Sequence, residues 1–348
     1  MDPNGEHSPL GFLPCYKPPG ATSRDIVNRA QRRLRGEFGL RKLKVGHTGT
    51  LDPLAEGLVL LAIGSATRLT PWVLQHGKRY LADFQLGVSS ESGDLESELV
   101  IQKDAKLPTA AEIEQVLEDF HGVVEQTPPA HSAIKVDGQR AHIRARRGED
   151  FEMPKRRILI DSVKLISYEP PMMRLDVRCG SGTYLRTLGM DVAAACGCAA
   201  VMTKLVRNEV GRFTLDDTLD CEFMFDDEDR EKMPAIPMTQ FLRPPVEGLT
   251  HMPAIELDQQ QIGMLHAGIR IAGTPQRAAE PLPEEWIGCI DHVDTFDRNT
   301  NVLDCIGVDR SSDSSGPWGE LVAILRPHRK LWHPLRVFPT AESITLRD

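Results

Sequence analysis

The chain has 348 residues, of which 41% are hydrophobic and 26% charged, and its formal net charge is −9. This length suits two or three domains of roughly 100–200 residues each, with enough apolar residues for a core. No stretch approaches the ~18–20 consecutive apolar residues of a membrane-spanning helix. The first residues, MDPNGEHSPLGFLP, lack the basic leader and apolar core of a secretory signal. Composition therefore argues against a membrane or secreted protein, and we expect a cytoplasmic one.

The charges are distributed unevenly along the chain. Residues 1–90 carry 12 Lys and Arg against 7 Asp and Glu, and residues 126–215 carry 15 against 9. Acidic residues dominate in 91–125, with 10 against 2, and in 216–348, with 24 against 12. A polyanion responds to the local field rather than to the net charge. The two basic segments are therefore compatible with nucleic-acid binding, although charges scattered over solvated faces would give the same counts.

The seven cysteines are scattered, and Cys196 and Cys198 form the only close pair in the sequence. Neither a second pair nor a histidine cluster completes the pattern of a zinc site. We therefore expect reduced thiols and no metal.

Apolar periodicity predicts helices and strands that do not alternate strictly. Helices are predicted over 21–34, 109–122 and 184–197, and strands over 58–64, 80–87 and two runs within 158–180. Ser23 and Thr109 are the predicted N-caps of the first two helices, whereas Gly122 and Gly197 are predicted to end the second and third. This order favours an α+β fold, in which helices pack on a mixed β-sheet.

The composition changes beyond residue 216, where acidic residues and prolines become frequent. We place a domain boundary near residue 248, which divides the chain into 10–247 and 248–348. The second part combines short apolar runs with many turn residues, a pattern that suits a small β-barrel.

The string GHTGTLDPLAEG, residues 46–57, holds one aspartate, Asp52, among glycines, threonines and a proline. A carboxylate in this setting can cap a turn, or it can act as a nucleophile, a general base or a metal ligand. Metal binding would normally need further ligands nearby, and only His47 and Glu56 are close in the chain. Spacing alone leaves the structural and the catalytic interpretation open.

Two further strings, GSGTYLRTLG (180–189) and GKRYLADFQLG (77–87), each place a tyrosine near basic residues. Tyr184 and Arg186 follow two glycines and can face one pocket, where an arginine orients a carboxylate. Tyr80 follows two basic residues and can stack on a base or relay a proton. A core tyrosine and a surface arginine would explain the same patterns.

Together and in this order, these motifs resemble one family, the TruB-type tRNA pseudouridine synthases. The resemblance covers roughly residues 10–215 through the following strings: KPPGATS (17–23), GHTGTLDPLAEGLVLLAIGSATRLT (46–70), KRYLADFQLG (78–87), QTPPAHSAIKVDGQRAHIRARRG (126–148), GSGTYLRTLGMDVAAACG (180–197) and LVRNEVGRF (205–213). The string around Asp52 is the most specific of them. The C-terminal GELVAILRPHRKLWHPLRVFP is similar, more weakly, to a PUA-type RNA-binding β-barrel, which here carries an insertion near 274–316.

The resemblance implies an enzyme that isomerises the uridine at position 55 in the T-loop of tRNA, by base flipping and an aspartate nucleophile. Asp52 falls on the nucleophile, Tyr80 on the tyrosine that stacks on the flipped base, and Arg186 on the arginine paired with the nucleophile. Further residues fall on positions that line the pocket or support the nucleophile loop: His47, Tyr184, Leu205 and Lys17. The resemblance also implies a thumb-like RNA-binding loop near 126–150, the tRNA T-arm as partner, a monomer, and neither metal nor cofactor.

The sequence departs from the family pattern at the rim of the expected site. Tyr16 stands where an acidic residue is common, and His142 where a tyrosine is usual. The segment 88–92 replaces the usual Thr-Asp-Thr string, although Asp94 is retained. An RNA-binding or tRNA-folding protein is one alternative, and a synthase of guide-RNA particles is another. The joint retention of the three catalytic matches favours the tRNA enzyme over the first, and the acidic tail disfavours the second.

Overall fold

The structure is a computed structural model, and it describes residues 9–130, 132, 134–219, 237–276, 304–309, 320–328 and 331–338. The predicted insertion near 274–316 lies for the most part outside the described residues.

Strands and helices of the described residues are numbered in chain order. The strands are β1 (Gly11–Lys17), β2 (Val45–His47), β3 (Glu56–Ile63), β4 (Lys78–Leu86), β5 (Val88–Ser89), β6 (Val100–Ile101), β7 (Gly122–Gln126), β8 (Lys135–Val136), β9 (Gln139–Arg140), β10 (Arg156–Glu169), β11 (Met172–Cys179), β12 (Ala200–Val210), β13 (Phe213–Thr214), β14 (Ala254–Glu256), β15 (Cys305–Asp309), β16 (Glu320–His328) and β17 (Leu331–Val337). The helices are α1 (Ser23–Glu37), α2 (Thr70–Val73), α3 (Ala110–Leu117), α4 (Ala141–Arg146), α5 (Leu185–Ala195) and α6 (Gln259–His266).

The main sheet has nine strands. Seven of them follow the order β1-β3-β12-β4-β11-β10-β7, while β2 pairs with β3 and β13 with β12. Strands β3 and β12 are parallel, and the other neighbours along this order are antiparallel. The predicted mixed sheet of an α+β fold is therefore confirmed, and the predicted strands correspond to β3, β4, β10 and β11.

The N-cap of helix α1 lies one residue earlier than predicted. Thr22, not Ser23, is the N-cap: its side chain accepts a hydrogen bond from the backbone N–H of Asp25, whose carboxylate accepts one from the backbone of Thr22. A carboxylate three residues after a hydroxyl completes a capping box, and only Thr22 has that spacing. Ser23 is buried instead, and the helix continues to Glu37 rather than to residue 34.

The second predicted helix is shorter than expected. Thr109 is its N-cap, as predicted, but α3 ends at Leu117 and passes into a 3-10 turn over Glu118–Phe120. Gly122 begins strand β7 instead of ending the helix. The third predicted helix is confirmed as α5, and Gly197 follows it with a φ of +80°.

Strand β3 is buried on both faces. Val59 and Leu61 belong to one apolar cluster, together with residues of α1, α3 and α5. Leu58 and Leu60 point the other way and pack with residues of β15 and β16. Because alternate residues of a strand face opposite sides, a continuous apolar run such as 58–63 indicates a strand covered on both faces.

The C-terminal strands form a second sheet in the order β14-β15-β16-β17. Strands β14 and β15 are parallel and the remaining pairs antiparallel. Helix α6, which the sequence pattern did not predict, packs Ile262 and Leu265 against this sheet. Closure of the sheet into a PUA-like barrel and the boundary near residue 248 stay predictions.

Among the described residues, no helix is both long and apolar enough to cross a membrane.

The contact of α5 with the sheet provides a test of packing. A Cβ atom on Gly189 would lie 2.0 Å from the Phe84 ring, so Gly189→Ala should destabilise the fold by about 1–3 kcal/mol through overpacking. Gly263→Ala is the matched control in α6, where an added Cβ meets nothing within 4 Å, and it should stabilise by up to about 1 kcal/mol. Urea midpoints measure both changes, and equal midpoints for Gly189→Ala and wild type would contradict the close approach.

Candidate active site

A cavity of about 440 Å³ lies where the loop before β3, strands β4 and β12, and the start of α5 meet. Five of the predicted site residues line it: Asp52, Tyr80, Tyr184, Arg186 and Leu205. They come from positions up to 153 residues apart in the sequence, and only the fold brings them together.

The segment 48–55, here called the Asp52 loop, is held from the β1 side by a buried lysine. Lys17 is fully buried, and its ammonium group donates hydrogen bonds to the carbonyl oxygens of Pro53 at 3.2 Å and Ala21 at 2.7 Å. The backbone N–H of Gly20 also donates to Pro53. The chain directly after Asp52 is thereby fixed to the end of β1.

The other side of the Asp52 loop is held by α1. The hydroxyl of Ser23 donates to the carbonyl of Leu51 at 3.1 Å, and the backbone N–H of Leu51 donates to the same hydroxyl oxygen at 2.9 Å. The residue that we predicted to cap the helix therefore fixes the chain directly before Asp52.

Arg207 of β12 holds the start of the same loop. Its guanidinium group is buried, with the residue 2% exposed. It donates to the carbonyls of Gly49 at 3.2 Å, Thr50 at 3.3 Å and Leu58 at 2.7 Å. These carbonyls thus accept hydrogen bonds from a charged donor, which are stronger than those from neutral donors.

Arg186 lies between two carboxylates. Its Nη2 is 3.3 Å from Oδ2 of Asp52, and its Nη1 is 3.1 Å from Oδ2 of Asp94. The Asp52 side chain is 40% exposed, whereas that of Asp94 is only 2% exposed. Asp94 also accepts hydrogen bonds from the Ser92 hydroxyl and the Glu96 backbone. The buried carboxylate therefore fixes the arginine, which in turn orients the accessible one.

Tyr80 lies on β4 and is 8% exposed, with Arg207 directly opposite it on β12. Burial raises the pKa of the Tyr80 hydroxyl, and the nearby Arg207 guanidinium opposes this rise through its charge and a hydrogen bond. Leu205 is buried two residues before Arg207 on the same strand. Tyrosine and leucine thus form an apolar wall beside the carboxylate.

Tyr184 immediately precedes α5 and is fixed through its backbone. Its N–H donates to Oε1 of Gln126 at 2.9 Å, and Nε2 of Gln126 donates to its carbonyl at 3.1 Å. Burial raises the pKa of the Tyr184 hydroxyl. Gln126, which ends β7, is also the first residue of the predicted thumb-like loop near 126–150. This loop therefore starts beside the cavity.

Lys78 is a buried cation in the cavity wall. Its ammonium group donates to the carbonyls of Leu74 at 2.7 Å and His76 at 2.6 Å. Burial, with a smaller contribution from the charge of Arg207, lowers the pKa of Lys78 to about 7.

Two predicted site residues are not part of the cavity wall. Lys17 lies behind the Asp52 loop. His47 lies on β2 opposite Leu61, and its pKa is lowered by burial and by the charges of Arg24 and Arg207. His47 is not among the residues that line the cavity, and its place in the substrate pocket stays a prediction.

Sequence reasoning assigned no role in the site to Arg207 or Lys78, interpreted Ser23 as a helix cap, and noted Asp94 only as retained. A weak indication of a role for Asp94 was present in the sequence, because Asp94 is retained directly after the segment 88–92, which departs from the family pattern. Arg207 lies within the matched string LVRNEVGRF, but nothing local distinguishes it from the neighbouring cations of its strand. Among the residues that the structure describes, no group of three or more His, Cys, Asp or Glu side chains is arranged to hold a metal ion.

Comparison with solved structures shows which known proteins share this fold. The fold is similar to a chain of a Cbf5-Nop10-Gar1 complex, with a TM-score of 0.67, 19% identity, and 96% of this chain and 87% of that chain covered. It is also similar to a chain of an H/ACA RNP bound to a substrate RNA containing 2′-deoxyuridine, with a TM-score of 0.64, 18% identity, and 96% and 86% covered. These identities show a shared fold only.

The sequence comparisons are more specific. A family model described as TruB family pseudouridylate synthase (N terminal domain) matches residues 35–185. The tRNA pseudouridine synthase B of Rhodopirellula baltica is 90% identical over 347 residues, with 100% of both chains covered. That of Dehalococcoides mccartyi is 32% identical over 329 residues, with 94% of this chain and 96% of the relative covered. The protein is therefore a pseudouridylate synthase, and the chain belongs to the TruB family.

The shared arginine predicts a role for Asp94. In Asp94→Asn, one amide nitrogen must face either Arg186 or the Ser92 and Glu96 donors, so one charge-assisted hydrogen bond is lost. Such a bond contributes about 1.5–3 kcal/mol, and we expect the single-turnover rate of pseudouridine formation to fall about 10- to 150-fold. Glu98→Gln, an exposed change in the same segment, is the control. A rate for Asp94→Asn equal to that control would show that Arg186 is oriented without Asp94.

Proposed function

We propose that this protein converts uridine to pseudouridine at position 55, in the T-loop of tRNA. The observation that carries the proposal is the carboxylate of Asp52, which is accessible from the cavity and paired with a buried arginine. Membership of the TruB family and the name of its relatives, tRNA pseudouridine synthase B, support tRNA as the substrate.

The reaction moves one bond without changing the formula of the nucleotide. The N1–C1′ bond of uridine breaks, the base turns within the site, and a C5–C1′ bond forms. C5 then loses its proton and N1 gains one. The target base must leave the RNA stack to reach a carboxylate in a cavity, and the cavity of about 440 Å³ is suited to one extruded nucleotide.

We assign Asp52 as the nucleophile that allows the base to detach. A carboxylate can form a covalent intermediate only when it is held in line with the reacting atom. Lys17, Ser23 and Arg207 fix the backbone around it, and Arg186 fixes the carboxylate itself. This support is what a nucleophile on a loop requires, since loops are otherwise mobile.

We assign Tyr80 to the extruded base. Its ring lies beside Leu205 in the cavity wall, where a uracil can stack on it, and its hydroxyl is the group placed to take part in proton removal at C5. Tyr184 borders the same space from the start of α5. Leu205 gives the base an apolar neighbour that makes no competing hydrogen bond.

RNA binding is assigned to the two basic segments. The segment 126–150 contains the hairpin β8–β9 and helix α4, and it leaves the sheet at Gln126, beside the cavity. We propose that it acts as a thumb on the T-arm, that the enzyme works as a monomer, and that it acts on tRNA in the cytoplasm. The local excess of cations in 1–90 and 126–215 supports this despite the net charge of −9.

The central test is pseudouridine mapping on an unmodified T-arm stem-loop, with Asp52→Asn beside the wild type. Wild type should modify the position-55 uridine and no product should form with Asp52→Asn, because an amide cannot replace the carboxylate nucleophile. RNA affinity should be retained, and Asp161→Asn on an exposed position of β10 should behave as wild type. Activity of Asp52→Asn within about tenfold of wild type would remove Asp52 from this role.

A second test separates base handling from bond breaking at Tyr80. Stacking contributes about 1–3 kcal/mol per base, and proton transfer by a positioned hydroxyl contributes roughly 10²–10⁴-fold in rate. Tyr80→Phe keeps the ring and should bind RNA like wild type while reacting far more slowly. Tyr80→Leu should react no faster than Tyr80→Phe and bind more weakly. A near-normal rate for Tyr80→Phe would show that the tyrosine only stacks.

A further inference from the structure

Arg207 contacts the chain on both sides of Asp52. Two of its acceptors, the carbonyls of Gly49 and Thr50, precede Asp52, and the third, that of Leu58, follows it on β3. One rigid guanidinium therefore spans the base of the Asp52 loop. The three bonds are between 2.7 and 3.3 Å long.

The same residue lies between the two strands that matter for the reaction. On one side β12 pairs in parallel with β3, where Arg207 is opposite Gly57. On the other side it pairs with β4, where Arg207 is opposite Tyr80. Directly opposed side chains of neighbouring strands lie about 4.5–5.5 Å apart at Cβ, so the guanidinium and the phenol share one face of the sheet.

Gly57 makes this close approach possible. It has a φ of +112°, and a Cβ atom there would lie 2.4 Å from the carbonyl oxygen of Arg207. Any larger residue would push the end of the Asp52 loop away from β12. The glycine that closes the GHTGTLDPLAEG string is thus explained by contact with Arg207.

We propose that Arg207 is a positioning residue of the reaction, which sets the placement of Asp52 relative to Tyr80 by joining the Asp52 loop to the strand beside Tyr80. This inference rests on the proposed roles of Asp52 and Tyr80. Arginine suits the task because its five N–H donors lie in one plane at fixed directions, whereas lysine donates from a single point. A lysine at 207 donates from one nitrogen and would not reproduce three bonds that Arg207 makes from three separate nitrogens.

Arg207 also acts on Tyr80 through its charge. Among the described residues no carboxylate forms an ion pair with it, and its hydrogen bonds go to backbone carbonyls and to the Tyr80 hydroxyl. Tyr80 is faced by Arg207 from β12, by Asp52 from its loop and by Cys179 from β11, and of these only Arg207 lowers the pKa of the phenol. Removal of the guanidinium should therefore raise that pKa further.

The experiment compares Arg207→Lys and Arg207→Gln with wild type and with Arg174→Gln, which removes an exposed arginine of β11. Single-turnover rates are measured at saturating T-arm stem-loop, alongside the dissociation constant and the thermal unfolding midpoint. We expect both Arg207 variants to bind RNA within about threefold of wild type and to react about 10²-fold more slowly, since small misplacements of reacting groups have effects of this size. Arg174→Gln should match wild type.

The pH profile distinguishes positioning beside Tyr80 from general damage to the fold. In Arg207→Gln the rise of rate with pH should move to higher pH, because a raised pKa keeps the proton on the phenol longer. Combined with Tyr80→Phe, the Arg207→Gln change should cause no such displacement. If Arg207→Gln does not fold, Arg207→Lys provides the test through its single-turnover rate. The rate loss that Arg207→Lys causes should then be smaller when Tyr80→Phe is also present than when Tyr80 is intact.

A wild-type rate for Arg207→Lys, or a loss that is equal at every pH and unchanged by Tyr80→Phe, would overturn the inference. Failure of wild type to modify the stem-loop would instead overturn the proposed function, so the two outcomes are distinct.

Discussion

The architecture of the site depends on buried donors that hold the Asp52 loop. An ammonium from β1, a hydroxyl from α1 and a guanidinium from β12 donate to backbone carbonyls within residues 48–58. Burying such groups is costly unless their hydrogen bonds are satisfied, and a buried carbonyl without a donor costs about 1–3 kcal/mol. The buried donors and the carbonyls that accept from them thus stabilise each other. The result is a loop without regular secondary structure that is hydrogen-bonded to three different elements, while its carboxylate stays 40% exposed.

The charges around the cavity follow from this arrangement. Arg186 is shared between Asp94, which is buried, and Asp52, which is accessible. Arg207 and Lys78 add two further basic groups, and both donate to carbonyls rather than to carboxylates. Burial lowers the pKa of Lys78 to about 7, and the nearby charge of Arg207 adds a smaller contribution. The side chains that line the cavity are thus balanced, with Lys78, Arg186 and Arg207 against Asp52, Asp94 and Glu96. The cavity is therefore less acidic than a chain whose net charge is −9, and a polyanionic substrate responds to that local field.

The C-terminal sheet is joined to the same strand that follows Asp52. One face of β3 packs with residues of β15 and β16, and Nε1 of Trp72 donates to Asp304 at 3.2 Å. The junction also contains His76 and His251, whose rings lie edge to face 4.3 Å apart. Burial lowers the pKa of His76 to about 4, so its neutral ring donates from Nε2 to the carbonyl of Gly248. The junction thus combines apolar packing and neutral histidines with ion pairs, such as that of Arg212 with Glu247 at 3.6 Å.

The sequence by itself determined the features that depend on neighbours in the chain. The apolar run at 58–63 predicted a buried strand because its side chains must face two covered sides. Thr109 was predicted to start a helix because a hydroxyl residue stands directly before the amphipathic run, and the structure adds the capping box with Glu112. The specific string around Asp52 indicated the family and therefore the class of site. The wrong cap at Ser23 was an error of interpretation, since only Thr22 has a carboxylate three residues later in the sequence.

The tertiary structure alone decided how the site is supported. Ser23 meets Leu51 from 28 residues away, Lys17 meets Pro53 from 36, and Arg207 meets Gly49 from 158. No periodicity links such positions. Each of the three side chains could equally have faced solvent. Their roles were fixed when the sheet order placed β1 and β12 on either side of β3, because a buried donor takes the acceptor that the fold brings within reach.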